Sequence, residues 1–168
     1  AAFTKSAQFP FHYWLPGAMK APTPVSAYLH SATMVNAGIY LLARFHPLLS
    51  HLPLWYPVLS MIGLLTMFTG AWLALREADL KLILAYTTLF ALGSMIYLLA
   101  ADTPLALLAL VIFLIAHALY KASLFMLVGY LDKRYGSREL PTVHSLWKHA
   151  PVAAVIWTIS TLSMAGVP

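Results

Sequence analysis

Apolar runs of membrane-crossing length alternate with short polar stretches through most of this chain. A helix needs about 20 apolar residues to cross the hydrocarbon core. On that measure Leu54–Leu75, Leu80–Ala100 and Leu105–Leu131 each predict a complete span. Arg76-Glu77-Ala78-Asp79 and Asp102-Thr103-Pro104 are the turns between them, and Pro104 suits the first turn of the helix it opens. Val25–Phe45 predicts another span, stopped by Arg44 and His46-Pro47. Pro151–Met164 begins a last one after the polar loop Asp132–Ala150.

The stretch Phe3–Leu42 breaks this regularity. It carries Lys5, His12, Lys20 and His30 together with Pro10, Pro16, Pro22 and Pro24. Four prolines in fifteen residues are incompatible with one continuous helix, because each removes a backbone donor. The spacing predicts a short span over Phe3–Leu15, a break over Pro16–Pro24 and the full span that follows. Inside a membrane such a break is tolerated only where protein or a wet cavity covers the freed backbone, and transporters build ion sites at such places. Phe3–Pro10 (FTKSAQFP) and Ser160–Pro168 (STLSMAGVP) both read as a span meeting Gly or Pro after small polar residues, so Gly166-Val167-Pro168 predicts a second break. The whole reads as an all-α polytopic membrane protein of about six spans with broken helices.

Composition agrees: 61% of residues are hydrophobic and 9% charged, against about 25% charged in soluble domains. The chain starts Ala-Ala and stops inside an apolar run, so it is read as an internal part, residues 1–168, of one longer transmembrane domain. The net charge of +5 sits in inter-span loops, which favours membrane orientation over nucleic-acid binding. With loops alternating sides, residues 76–81 and 132–150 share one face and hold Arg76, Lys81, Lys133, Arg134, Arg138 and Lys148, against Arg44 opposite. The positive-inside rule makes those loops cytoplasmic in a plasma (inner) membrane. The absence of cysteine excludes disulfides and thiolate chemistry, and the seven histidines lack paired metal-ligand spacing. No metal, cofactor or catalytic residue is expected.

The charges within spans are the candidate chemistry. Lys121 lies too far from either end of its span to snorkel, and a lysine at a helix centre costs about 2.5–3.5 kcal/mol. His117, four residues earlier, shares its helical face, with the hydroxyls of Tyr120 and Ser123 nearby. Lys5 has Gln8 and His12 at helical spacing, and His30 follows the break with Ser26 and Thr33 on its face. A buried lysine exchanging protons with a histidine makes a relay; the alternative is a set of polar contacts between helices. Lys5, His30, His117 and Lys121 are therefore the candidate relay, with His12, Asn36 and Lys20 as auxiliaries. His12 reads equally as an interfacial residue beside Tyr13 and Trp14. Arg76, Glu77, Asp79 and Lys81 read as a solvated turn, and His46, His51, His144 and His149 as surface residues.

Three segments carry a family resemblance: FTKSAQFPFHYWLP…APTPVSAYLHSATM, DLKLILAYTT and HALYKASLF. They resemble the proton-translocating module shared by Mrp-type cation/proton antiporters and complex I. GYLDKRYGSREL and AYTTLFALG look like the large A-type polypeptide of Mrp-type Na⁺/H⁺ antiporters. The resemblance implies two inverted five-helix repeats, each with a broken helix, and buried charges along the membrane midplane. It places residues 1–45 in the first repeat and 54–168 in the second. It assigns Lys5 to the lysine of the first broken helix, His30 to the histidine of the next helix, and His117 and Lys121 to the second repeat. The carboxylate expected beside Lys5 lies upstream. Asn36 stands where many members have lysine, and Lys20 where they have an acidic residue.

The function these readings imply is that of a non-enzymatic membrane subunit of a multisubunit Na⁺ or K⁺/proton antiporter, working in the bilayer with other membrane subunits and without nucleic acid. One alternative is the antiporter-like proton-pumping subunit of NADH:quinone oxidoreductase; another is a structural scaffold. All five acidic residues lie at turns, loops or span edges, so cation selectivity is expected to be encoded elsewhere.

Overall fold

The structure is a computed structural model and describes residues 1–31, 33–139 and 146–167. It is helical throughout, with no strand among the described residues beyond an isolated bridge between Asp79 and Glu139. Helices α1 (Ala2–Lys5), α2 (Trp14–Gly17), α3 (Thr23–Ser31) and α4 (Met34–Leu49) precede the long helices. These are α5 (Trp55–Ala74), α6 (Leu80–Ala100) and α7 (Pro104–Tyr135), followed by α8 (Leu146–His149) and α9 (Pro151–Met164). Among the described residues, only α5, α6 and α7 are long and apolar enough to cross a membrane as single helices. Of the six expected spans, then, three are continuous and the others are short or interrupted.

The prolines do less breaking than their number predicts. Pro16 and Pro24 stand in the first turns of α2 and α3, and Pro104 and Pro151 open α7 and α9. The first N–H groups of a helix have no intrahelical partner, so a proline there forfeits nothing. Pro47, expected as a stop, lies inside α4, which runs two residues further to Leu49.

The first break comes earlier than Pro16–Pro24. α1 ends at Lys5, and Ala7 adopts a left-handed conformation with φ 50°. There the Gln8 N–H donates to Phe3 O at 2.9 Å and the Ala7 N–H to Thr4 O at 3.3 Å. α9 ends the same way: Gly166 has φ 82°, the Val167 N–H donates to Leu162 O at 3.1 Å and the Gly166 N–H to Ser163 O at 3.2 Å. Both are the paired backbone bonds of a Schellman stop. The likeness of FTKSAQFP to STLSMAGVP is thus a likeness of backbone, with Ala7 matching Gly166 and Lys5 matching Met164; Pro168 lies outside the described residues.

A second interruption separates α3 from α4, where Val25–Phe45 reads as one span. No proline or glycine causes it. Ser31 Oγ donates to Ala27 O at 2.6 Å, Thr33 Oγ1 to Tyr28 O at 2.8 Å, and Asn36 Nδ2 to Ser31 O at 3.0 Å. Short polar side chains here take the carbonyls of the last turn of α3, offering the backbone an alternative to continued helix.

α6 lies at the centre, with just over half of its span (56%) buried against 22% for α5 and α7. Its Leu80, Leu84 and Ala85 pack with Leu124, Val128 and Leu131 of α7 and Ala154 of α9. Its Leu89, Leu92, Met95, Ile96 and Leu99 pack with Ile39 of α4 and Trp55 and Leu59 of α5. Glycines bring α5 and α6 into backbone contact: a Cβ on Gly93 would lie 2.7 Å from Gly63 O, and one on Gly70 2.6 Å from Phe90 N. Small residues at such seams let apolar helices associate where no hydrophobic force drives them together.

One end of the bundle gathers the turn before α6 and the end of α7. The Leu80 N–H donates to Arg138 O at 2.9 Å, and Arg138 lies 3.5 Å from Asp79 and 4.0 Å from Asp132. That supports placing the 76–81 turn and the loop beginning at Asp132 on one face. At the other end His46, expected at the surface, is buried and lies 2.7 Å from Asp102, with its ring edge-on to Trp55. His51 and His149 are exposed as expected, and His144 lies outside the described residues.

These contacts predict two effects on stability. Gly93→Val should lower the thermal midpoint of the purified protein, an overpacking cost of about 1–3 kcal/mol. Gly17→Ala, which meets no atom within 4 Å, should leave it unchanged. Thr66 Oγ1 on α5 accepts the Phe9 N–H at 3.0 Å, within the first break. Thr66→Val should therefore also lower the midpoint by exposing that donor to an apolar surrounding, at about 1–3 kcal/mol, whereas Thr66→Ser should retain stability.

Candidate functional site

The helix breaks and the central position of α6 bring several polar side chains into the interior. His30, His117 and Lys121 have no solvent exposure, and Lys81 is 1% exposed. Lys121, from α7, donates to Leu84 O at 2.8 Å and to Thr87 Oγ1 at 2.5 Å, both on α6. Of the two hydroxyls nearby in sequence, that of Ser123 acts elsewhere: its Oγ is 2.7 Å from Ser160 Oγ on α9 and donates to the Tyr120 backbone carbonyl. Positions one or two residues apart on a helix do not face each other, so the partner of Lys121 had to come from a facing helix.

His117 lies one turn from Lys121 on α7, its ring edge-on to Tyr120 at 5.5 Å. His30, on α3, sits between the rings of Trp14 at 6.4 Å and Phe125 at 5.9 Å, within electrostatic reach of Lys121 and Lys81. Neither nitrogen of either histidine has a hydrogen-bond partner among the described residues. Buried polar groups are ordinarily satisfied by protein or by water. Two imidazoles are thus presented to whatever water or proton carrier reaches the interior.

Lys81 is the residue that sequence reasoning missed. It reads as part of a solvated turn, yet its Nζ turns inward and donates to the carbonyl of Ala21, between the turn Ala18–Lys20 and α3. The signal was available in Asp79: its carboxylate caps α6 by accepting the Lys81 N–H at 2.8 Å. That fixes Leu80 and Lys81 as the first turn of the helix, and Lys81 then shares a face with Leu84 and Thr88. Among the described residues, no lysine belongs to an ion pair.

The remaining candidates are more dispersed. Lys5 ends α1 with an exposed side chain, and Gln8 and His12 do not line a helix with it, since α1 stops there. His12 is 5% exposed and stacked on Tyr13 at 4.4 Å, with Nδ1 unpartnered among the described residues. Asn36 is buried and holds the α3–α4 interruption through Ser31 O. Lys20 is exposed beside the Ala21 carbonyl that Lys81 occupies.

Known proteins resemble this arrangement along the whole chain. The family described as "NADH:quinone oxidoreductase/Mrp antiporter, TM" matches residues 1–168. The probable K⁺/H⁺ antiporter A/B polypeptide of Rhizobium meliloti is 48% identical over 99% of this chain and 17% of its own length. The A polypeptide of the Na⁺/H⁺ antiporter of Bacillus subtilis is 47% identical over 99% of this chain and 22% of its own. A chain of the Mrp complex from a Dietzia species superposes with a TM-score of 0.81 and 42% identity, over 99% of this chain and 20% of that one. The chain therefore spans about a fifth of the length of these relatives. With three complete spans and a match over its entire length, it is a multi-pass membrane protein and belongs to the antiporter family shared by NADH:quinone oxidoreductase and Mrp complexes.

Proposed function

We propose that this chain is part of the membrane subunit of a multisubunit Na⁺/H⁺ or K⁺/H⁺ antiporter, moving protons through a relay of Lys5, His30, His117 and Lys121. The observation that carries this reading is the fully buried Lys121, held by a carbonyl and a hydroxyl of another helix and flanked by histidines with free ring nitrogens. A lysine held by neutral acceptors can exchange its proton without breaking an ion pair, and a neighbouring imidazole can accept or donate one. Lys81 extends the line toward the end where Arg138 and Asp79 meet. Similarity to the A polypeptides of antiporters supports the transport reading. It favours neither cation, because the relatives named for Na⁺ and K⁺ are about equally identical.

Residues 1–45 belong in this reading to the first repeat and 54–168 to the second, a division supported by the matching ends of α1 and α9. Other membrane subunits complete the assembly, and the cation site lies among them, because the acidic residues here stand at helix ends and turns. The basic residues Arg76, Lys133, Arg134, Arg138 and Lys148 support a cytoplasmic location for their face, with the complex in the plasma membrane of the cell. A second reading, a proton-pumping subunit driven by redox partners, is favoured by the family's extension to NADH:quinone oxidoreductase.

Everted vesicles holding the full-length protein with its partner subunits test the proposal. Addition of Na⁺ or K⁺ should collapse a respiration-generated pH gradient. Lys121→Ala should assemble normally on a native gel yet lose that activity on the order of a hundredfold, the scale of a positioned proton-transfer group. No response to either cation by an assembled wild type would remove the antiport reading and advance the redox-driven one. Loss of assembly in Lys121→Ala would instead favour a scaffold role.

A further inference from the structure

The Lys121 ammonium has two acceptors, and only one of them is a side chain. Thr87 Oγ1 lies 2.8 Å from Ile83 O and 3.2 Å from Leu84 O, so its single proton is engaged by the carbonyls of its own helix. That leaves the hydroxyl lone pairs facing Lys121 Nζ at 2.5 Å. The other acceptor, Leu84 O, is already shared, since Thr88 Oγ1 donates to it at 2.8 Å. Thr87 is thus the acceptor whose lone pairs are directed at the lysine from across the α6–α7 interface. The backbone bonds of Thr87 also explain why the hydroxyl cannot turn away: threonine has few χ1 choices in a helix, and this one bonds the preceding turn.

We propose that Thr87 is a positioning residue for Lys121, holding the side chain against α6 in the orientation from which it exchanges its proton. The proposal rests on the relay reading for its transport consequence, and on geometry alone for the contact. A hydrogen bond from an ammonium to a hydroxyl is stronger than one between neutral groups. Its loss leaves Nζ with the single, shared Leu84 carbonyl, and the long lysine side chain is then free to leave the α6 surface.

The test uses the full-length protein in its complex. Thr87→Val, which keeps the branched shape and removes the hydroxyl, should lower the rate of cation-driven proton movement about tenfold without changing the half-saturating cation concentration. Thr87→Ser should restore the rate to within about twofold. Thr69→Val is the control, because the Thr69 hydroxyl bonds only its own helix, at Leu65 O and Thr66 O; it should transport like the wild type. A stability cycle reads the contact without transport: the fall in thermal midpoint caused by Thr87→Val should disappear in a Lys121→Met background, where no ammonium remains to be held. An unchanged rate in Thr87→Val, a failure of Thr87→Ser to rescue, or an equal midpoint shift in both backgrounds would each overturn the proposal. Should Thr87→Val fail to assemble, Thr87→Ala is read in its place, and failure of both with Thr87→Ser intact makes the residue structural and overturns it too. If the wild type moves no protons in response to cations, the antiport reading falls while the stability cycle still decides the role of Thr87.

Discussion

Every backbone group freed inside the hydrocarbon must be covered by protein or by a wet cavity, and the architecture here is largely an answer to that demand. The broken segment between α1 and α3 exposes the Phe9 N–H and the Ala21 carbonyl; Thr66 of α5 accepts the first and Lys81 of α6 donates to the second. The interruption between α3 and α4 is closed by the side chains of Ser31, Thr33 and Asn36. Lys121 is accommodated by the same rule applied to a charge, with a carbonyl and a hydroxyl in place of the missing solvent. The hydroxyls and amides of this chain therefore belong to its framework as much as to its chemistry.

The sequence carried the long helices well, because a span is a statement about length and hydropathy that needs no neighbour. Leu80–Ala100 and Pro151–Met164 coincide with the expected boundaries, and the ends of α5 and α7 differ by a few residues. Helix interruption was harder. Proline count carried only part of it: Pro22 stands outside any helix, between Lys20 and Thr23, whereas Pro16 and Pro24 occupy positions where a helix begins. The α3–α4 interruption depends on which carbonyls Ser31, Thr33 and Asn36 reach, a matter of side-chain geometry that spacing does not specify. Lys81 was misread for a related reason: charge next to Arg76, Glu77 and Asp79 looks solvated until the Asp79 cap fixes the phase of α6 and turns the lysine inward.

The candidate chemistry divides along the same line. Burial of His30, His117 and Lys121 was legible, since an ionisable residue deep in an apolar span has nowhere to go but the protein interior. What the lysine touches was not, because Thr87 and Leu84 lie more than thirty residues away and meet it only when α6 and α7 pack. The side chain of Lys5 is exposed, in a chain that spans about a fifth of the length of its relatives.

The glycine seam gives the interior a fixed frame of reference. Gly63, Gly70 and Gly93 set α5 and α6 backbone against backbone, leaving no room at the seam for a side chain. Thr66, which holds the first helix break, and Thr87, which faces Lys121, are carried by the two members of this pair. The anchor of the broken segment and the anchor of the lysine thus belong to one closely packed helix pair.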